Sequence, residues 1–195
     1  LKANGNFGMQ LHISREDELL LETGGGLLAA ARYLDDDDRQ FVVHNADILT
    51  DFPLGEMVAA HRSRGSEATL LVAARDTQRY LLFDSGCRMH GWTNIATGEL
   101  RPGTLASAEG FSLRAFGGVH VFSLSLLHSL KAYNDMLVAS GAEADSRGLC
   151  RFSIMNFYID SCALHSIGGY EPKRLYRWCD IGKPASLDEA RAIFS

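Results

Sequence analysis

The sequence predicts an α/β fold with a mainly parallel sheet and a small antiparallel insert. Two observations carry the parallel part. Residues 41–48 and 68–74 are continuous apolar, β-branched runs, as strands buried on both faces are, and a helical pattern lies between them. A third observation carries the insert: residues 80–101 break into short segments separated by turn residues such as Asp84, Ser85, Gly86 and Gly98. A chain of 195 residues can hold one domain with a sizeable core. At 46% hydrophobic and 22% charged, with 19 Gly and 4 Pro, its composition excludes disordered and collagen-like architectures.

Taken in order, Met9, Leu11 and Ile13 alternate with polar neighbours and predict a first strand, followed by a polar turn over 14–18. Gly24, Gly25 and Gly26 read as a loop ahead of a run of helix formers over 27–34. Asp35, Asp36, Asp37 and Asp38 end that helix as a solvated acidic loop, to which no function is given. The run 41–48 carries Asn45 and Asp47 at its end, and the carboxyl ends of strands are where open α/β sheets bind ligands. A helix is predicted over 52–64 from Leu54, Met57, Val58 and His61, with Gly65 as its C-cap. With the strand 68–74 this makes a strand–helix–strand unit of a parallel sheet. Residues 115–122 form a core strand interrupted by Gly117 and Gly118, and glycine inside a strand often marks close approach of a ligand or another backbone. Helices follow over 123–131 and 153–163, then a short strand over 175–178 and a turn over 180–184. A last helix has Ser186 as N-cap and Glu189 in capping-box position.

Nineteen basic against 24 acidic residues give a formal charge of −5. No global positive field attracts a nucleic-acid backbone, so no nucleic-acid partner is expected. No apolar run reaches the roughly 18 to 20 residues needed to cross a bilayer, so a membrane partner is not expected and a cytoplasmic location is. The four cysteines form no C-x-x-C pair and read as reduced thiols packing as small apolar residues. Seven histidines, none in an H-x-x-x-H pair, read as packing or surface residues, not as a metal site.

Three stretches fall where parallel strands should end. Glu22, Thr23, Gly24, Gly25 and Gly26 place unshielded backbone amides beside a helix start, a cradle for a nucleobase or a phosphate, or else a plain turn. Asn45-Ala46-Asp47 puts a carboxylate at a strand end, where an Asp also serves as the N-cap of the next helix. Asp180 follows another apolar segment, with the same alternative.

Their order resembles the sugar-phosphate nucleotidyltransferases, enzymes that make nucleoside-diphosphate sugars. Thr23-Gly24-Gly25-Gly26 matches that family's T-[GA]-G-[GA] segment, and Asn45-Ala46-Asp47 its N-G-D. His61, Gly65, Ala68 and Thr69 follow its H-x3-G-A-x-A-T. Phe116-Gly117-Gly118-Val119 matches its glycine strand, and the segment from Trp178 through Asp180 and Gly182 to Pro184 its W-x-D-x-G-T-P ending. The stretch from Trp92 to Glu99, together with Glu22, looks most like the group containing N-acetylmuramate-1-phosphate uridylyltransferase and mannose-1-phosphate guanylyltransferase. Ala46 stands where the family has glycine, and Lys183 where it has threonine.

The resemblance implies a Rossmann-like three-layer α/β/α nucleotidyltransferase fold over a single domain, 1–195. It implies transfer of a nucleotidyl group from a nucleoside triphosphate to a sugar-1-phosphate, with release of pyrophosphate. Asp47 and Asp180 would hold Mg2+. Glu22, Thr23, Gly24, Gly25, Gly26 and Asn45 would bind the nucleotide, and Gly118 and Asn94 the sugar. The family also has a glycine-rich loop, G-x-G-T-R-[ML]-x-P, and a later K-P, whose arginine and lysine clamp the triphosphate. No such loop occurs in these residues, and the order of the other motifs places it before Leu1. The expectation is therefore a domain without its N-terminal portion, inactive if the mature protein began at Leu1. A second reading is a catalytically inactive module of the same fold that binds nucleotide sugars. A third, a glycosyltransferase, calls for a D-x-D metal motif, and Asn45-Ala46-Asp47 offers one carboxylate only. Base, sugar and oligomeric state stay open.

Overall fold

The structure, a computed structural model, describes residues 2–34 and 39–194. The acidic run Asp35 to Asp38 and Leu1 therefore lie outside the described residues. The chain divides into two compact units. One is drawn from 1–38 and 127–157 and the other comprises 39–126 and 158–195.

In the first unit, α1 (Glu22–Ala30) and α3 (Leu127–Ala139) lie against each other. The predicted strand at Met9, Leu11 and Ile13 does not form. These side chains are exposed and the segment has no regular structure, because alternation makes a strand only where a sheet edge and an apolar surface receive it. The predicted glycine loop is also corrected: Gly24, Gly25 and Gly26 sit inside α1, which starts five residues earlier than the helix formers suggest. Their lack of side chains is used for packing. A Cβ on Gly24 would run into the Phe152 ring, and one on Gly25 into the Cys150 carbonyl. Around this contact Leu21, Leu130, Cys150, Phe152 and Phe157 are buried, and the Tyr133 ring lies 5.5 Å from each of the Phe152 and Phe157 rings.

The second unit is built on a sheet. Its strands are β1 (Gln40–His44), β3 (Ala68–Ala73), β4 (Arg79–Phe83), β5 (Met89–Asn94), β6 (Glu99–Arg101), β7 (Ser112–Ser123) and β8 (Ile167–Tyr170), in the order β6-β5-β4-β7-β3-β8, with β1 also paired to β7. The expectation of a mainly parallel sheet is wrong. Among the described residues only β3 with β8 is a parallel pair, while β7 runs antiparallel to β1, β3 and β4. The crossover from β1 through α2 (Leu54–Arg64) to β3 exists, but β7 is inserted between its two strands, with β1 on one edge and β3 on the other. Apolar runs announce burial and carry no sign of direction, which is why the inserted strand escaped the pattern.

Other elements follow their local chemistry. Helix α2 ends at Gly65, which takes the left-handed conformation (φ 61°) expected of a C-cap. The meander β4-β5-β6 forms as its turn residues indicate. The strand forecast over 175–178 lies further on, as β9 (Trp178–Asp180), paired antiparallel with β2 (Ile48–Thr50). Helix α4 (Ile154–Ser161) spans the division between the units, and α5 (Ser186–Phe194) closes the chain. The core on one face of the sheet gathers Phe52 and Met57 against Leu71, Val119 and Val121. Burying such side chains contributes about 1.5–3 kcal/mol each. His120 alternates with Val119 and Val121, so it faces the other side of β7, where it meets the Tyr158 and Phe116 rings.

Candidate active site

The site region is set by an irregularity in β7. Leu70 pairs with His120, but Val72 pairs with Phe116, so the ladder slips across Gly117 and Gly118. Gly118 has φ +75°, and a Cβ there would lie 2.5 Å from Cγ1 of Ile48 and 3.5 Å from Nδ2 of Asn45. The carbonyls of the bulge are taken up one by one. The Arg75 guanidinium donates to the Phe116 carbonyl at 2.7 Å, the Trp178 indole N–H to that of Gly117 at 2.9 Å, and the Asn45 amide to that of Gly118 at 2.9 Å. Three separate chain segments are thereby fixed to one strand.

This framework brings Asn45, Asp47, Gly118 and Asp180 together. Ile48, the residue after Asp47, is the ladder partner of Asp180, and the Ile181 amide donates to the Asp47 carbonyl at 2.8 Å. Gly182 donates its amide to Oδ1 of Asp180 at 2.8 Å. A Cβ on Gly182 would lie 3.1 Å from Oδ1 of Asp180 and 3.1 Å from Oδ2 of Asp47, so carboxylate oxygens from opposite ends of the chain flank one point. Neither carboxylate makes an ion pair among the described residues. Two neighbouring carboxylates without an ion pair are hard oxygen donors that fit Mg2+, which is held by one or two carboxylates and fills its remaining positions with water or phosphate oxygens. Among the described residues they form a pair, not a cluster of three or more metal-binding side chains.

Beside the pair is a feature that the sequence reading missed. The Arg75 guanidinium lies 3.4 Å from the centroid of the Trp178 ring, a cation–π contact. Burial holds the Arg75 pKa below its ordinary value, and the Asp180 carboxylate nearby opposes that shift. Arg75, Arg79, Thr77, Phe116 and Trp178 line a cavity of about 360 Å3. The available signal was an arginine directly after a buried strand, which by itself is ordinary.

The other sequence candidates are engaged by residues of their own unit. Asn94 closes the β5–β6 hairpin, its side-chain oxygen accepting from Ala96 N at 3.0 Å. The space beside Gly118 is filled by Ile48, a residue of the protein itself. In the first unit the Glu22 carboxylate pairs with Arg151 at 2.7 Å, Thr23 Oγ1 accepts from Ile154 N at 3.0 Å, and Gly24 N donates to Phe152 O at 2.9 Å.

No family model matches the chain. Over 66 residues, 34% of the chain, it is 42% identical to a mannose-1-phosphate guanyltransferase of Gibberella zeae, of which the match covers 18%. Over 62 residues it is 40% identical to the mannose-1-phosphate guanylyltransferase catalytic subunit beta of Dictyostelium discoideum, covering 32% of this chain and 17% of that one. The match thus spans less than a fifth of these curated relatives. Among solved structures, HddC from Yersinia pseudotuberculosis superposes with a TM-score of 0.61 at 15% identity, over 92% of this chain and 65% of that one. A Bacillus anthracis protein named as a glucose-1-phosphate thymidylyltransferase, in complex with a sucrose, superposes with a TM-score of 0.66 at 14% identity, over 97% and 67%. At such identities the likeness is one of fold.

Proposed function

We propose that this chain is part of a sugar-1-phosphate nucleotidyltransferase, in which an oxygen of a sugar-1-phosphate attacks the α-phosphorus of a nucleoside triphosphate and pyrophosphate leaves. The observation that carries the reading is the pair Asp47 and Asp180, whose carboxylate oxygens both lie beside Gly182 and make no ion pair among the described residues. The shared fold and the local identity to mannose-1-phosphate guanylyltransferases support it. Asp47 and Asp180 would hold Mg2+, which when bound offsets the mutual repulsion of the phosphates.

The chain's own residues supply position. The bulge carbonyls hold Asn45, Trp178 and Arg75 in register, so the reacting groups meet a rigid surface, and positioning alone lowers such barriers by several kcal/mol. The cavity lined by Arg75, Asp76, Arg79 and Trp178 would take the sugar-1-phosphate, with the two guanidinium groups beside its phosphate. Glu22, Thr23, Gly24, Gly25, Gly26 and Asn45 as nucleotide-binding residues, and Gly118 and Asn94 as sugar-binding ones, rest on the resemblance.

The test incubates the full-length protein and Mg2+ with each nucleoside triphosphate and a panel of sugar-1-phosphates, following pyrophosphate. Release with one pair, abolished by chelation, is the expected result. No release with any pair refutes transfer, and nucleotide-sugar binding without release identifies a non-catalytic module of this fold.

A further inference from the structure

A second polar cavity lies at the other end of the same sheet. It measures about 300 Å3 and is lined by Arg64, Ser66, Gly86, Cys87, Arg88 and Gly168, among others. Ser66 precedes β3 and Ser166 precedes β8, so the cavity sits at the N-terminal ends of the parallel pair. Asp47 follows β1, which runs in the same direction as β3. Six residues of strand, on the order of 20 Å, therefore separate the cavity from the carboxylate pair.

The lining is built to donate. Ser66 is 8% exposed, and its hydroxyl has no hydrogen-bond partner among the described residues. It lies 3.4 Å from where a Cβ on Gly168 would stand, so the absence of that side chain keeps the hydroxyl open to the cavity. Arg64 uses Nη1 to donate to the Gly169 carbonyl at 2.8 Å, which holds its guanidinium in place with the remaining N–H groups free. The Arg88 guanidinium has no hydrogen-bond partner among the described residues, while its backbone bridges Gly168. The Gly169 amide donates to the Cys87 carbonyl at 2.8 Å, fixing the turn that carries Cys87 and Arg88 against β8.

The acidic groups nearby are already engaged. Asp84 accepts from the Gly86 and Arg88 amides and from His90, and Glu67 accepts from His165 and the Ser166 amide. Two guanidinium groups and the Ser66 hydroxyl thus line one cavity, and neither guanidinium makes an ion pair among the described residues.

We propose that this cavity is a binding site for a phosphate-class oxyanion, either free phosphate or the phosphate group of a small phosphomonoester, separate from the Asp47 and Asp180 site. Arg88 and Arg64 provide charge-assisted donors of the kind that grip phosphate in a fork, and Ser66 supplies a neutral third donor. The volume exceeds that of a bare phosphate, leaving room for a small organic group.

The test titrates the protein with inorganic phosphate, and separately with glycerol 3-phosphate, while following backbone amide resonances. Potassium chloride at matched ionic strength is the control. Saturable shifts at Gly86, Cys87 and Gly168, with a Kd on the order of 1 mM or tighter, are expected. Tighter binding of one probe identifies the source. Arg88→Gln is expected to weaken binding about tenfold and Ser66→Ala several-fold, with the remaining amide spectrum unchanged as the check on folding. Absence of saturable shifts, equal shifts with chloride, or binding that survives both substitutions overturns the proposal.

Discussion

Replacing Gly118 with alanine is expected to destabilise the second unit by about 2–5 kcal/mol. The figure has two parts. A residue with a Cβ at φ +75° carries a left-handed conformation that costs roughly 1–2 kcal/mol. The new Cβ also meets Ile48 Cγ1 at 2.5 Å. Ile48 is buried and held by its ladder with Asp180, so relieving the overlap costs about another 1–3 kcal/mol. Gly98 isolates the first part, since it has φ +74° and a Cβ there would meet nothing within 4 Å; Gly98→Ala is expected to cost only about 1 kcal/mol. Urea denaturation of both variants beside the parent measures the difference. Because Ile48 is the ladder partner of Asp180, Gly118→Ala is also expected to weaken Mn2+ binding, read by water-proton relaxation, while Gly98→Ala leaves it intact. Equal stabilities for the two variants, or unchanged Mn2+ affinity in Gly118→Ala, would refute the argument that this glycine spaces the carboxylate pair.

Asp47→Asn and Asp180→Asn are each expected to lower pyrophosphate release roughly 100-fold or more with unfolding midpoints near the parent's; full activity in both would remove the metal assignment. His120 is buried, with no hydrogen-bond partner for either ring nitrogen, and burial holds its pKa down at about 3. An unfolded histidine titrates near 6.5, so between these values the unfolded chain binds more protons. Its stabilising contribution is complete above about pH 6.5 and is lost as pH falls, by about 2 kcal/mol on reaching pH 5. His120→Phe is expected to flatten that part of the profile in urea titrations at pH 7 and pH 5, and an unchanged slope would show the ring to be protonated in place. His61, whose pKa is lowered by burial and then by Arg62, acts with the same sign. Gly25→Ala, which drives a Cβ into the Cys150 carbonyl, is expected to cost about 1–3 kcal/mol in the first unit, and a stability equal to the parent's would show that α1 can move away freely.

What the residues disclosed in advance depended on whether a signal was local. Helix α2 could be read because its apolar spacing and the cap at Gly65 lie within one element. The meander could be read because its turns are short and marked by glycine. Strand β8 could not, since Ile167-Gly168-Gly169-Tyr170 has two glycines where β-branched residues would announce a strand, and Gly169 is placed where the Phe83 ring needs room. The glycine triplet misled because glycines are poor helix formers, yet here backbone contact with Cys150 and Phe152 outweighs propensity. Asp47 and Asp180 were singled out from motif order, while the reason they meet, the pairing of β2 with β9, had no trace in local pattern. Arg75 escaped because stacking on Trp178 joins residues from distant parts of the chain.

The run of three bulge carbonyls, Phe116, Gly117 and Gly118, each claimed by a different segment, sets how the site can respond to strain. Consecutive carbonyls on one strand cannot be displaced independently, so the guanidinium, the indole and the turn bearing Asp47 travel together as a single block. Insertions in the outer meander or in the loops would leave their mutual spacing alone. A change at the bulge itself would detune all three at once. Variation within this fold is therefore best tolerated around the bulge, and the bulge acts as the ruler against which the rest of the site is measured.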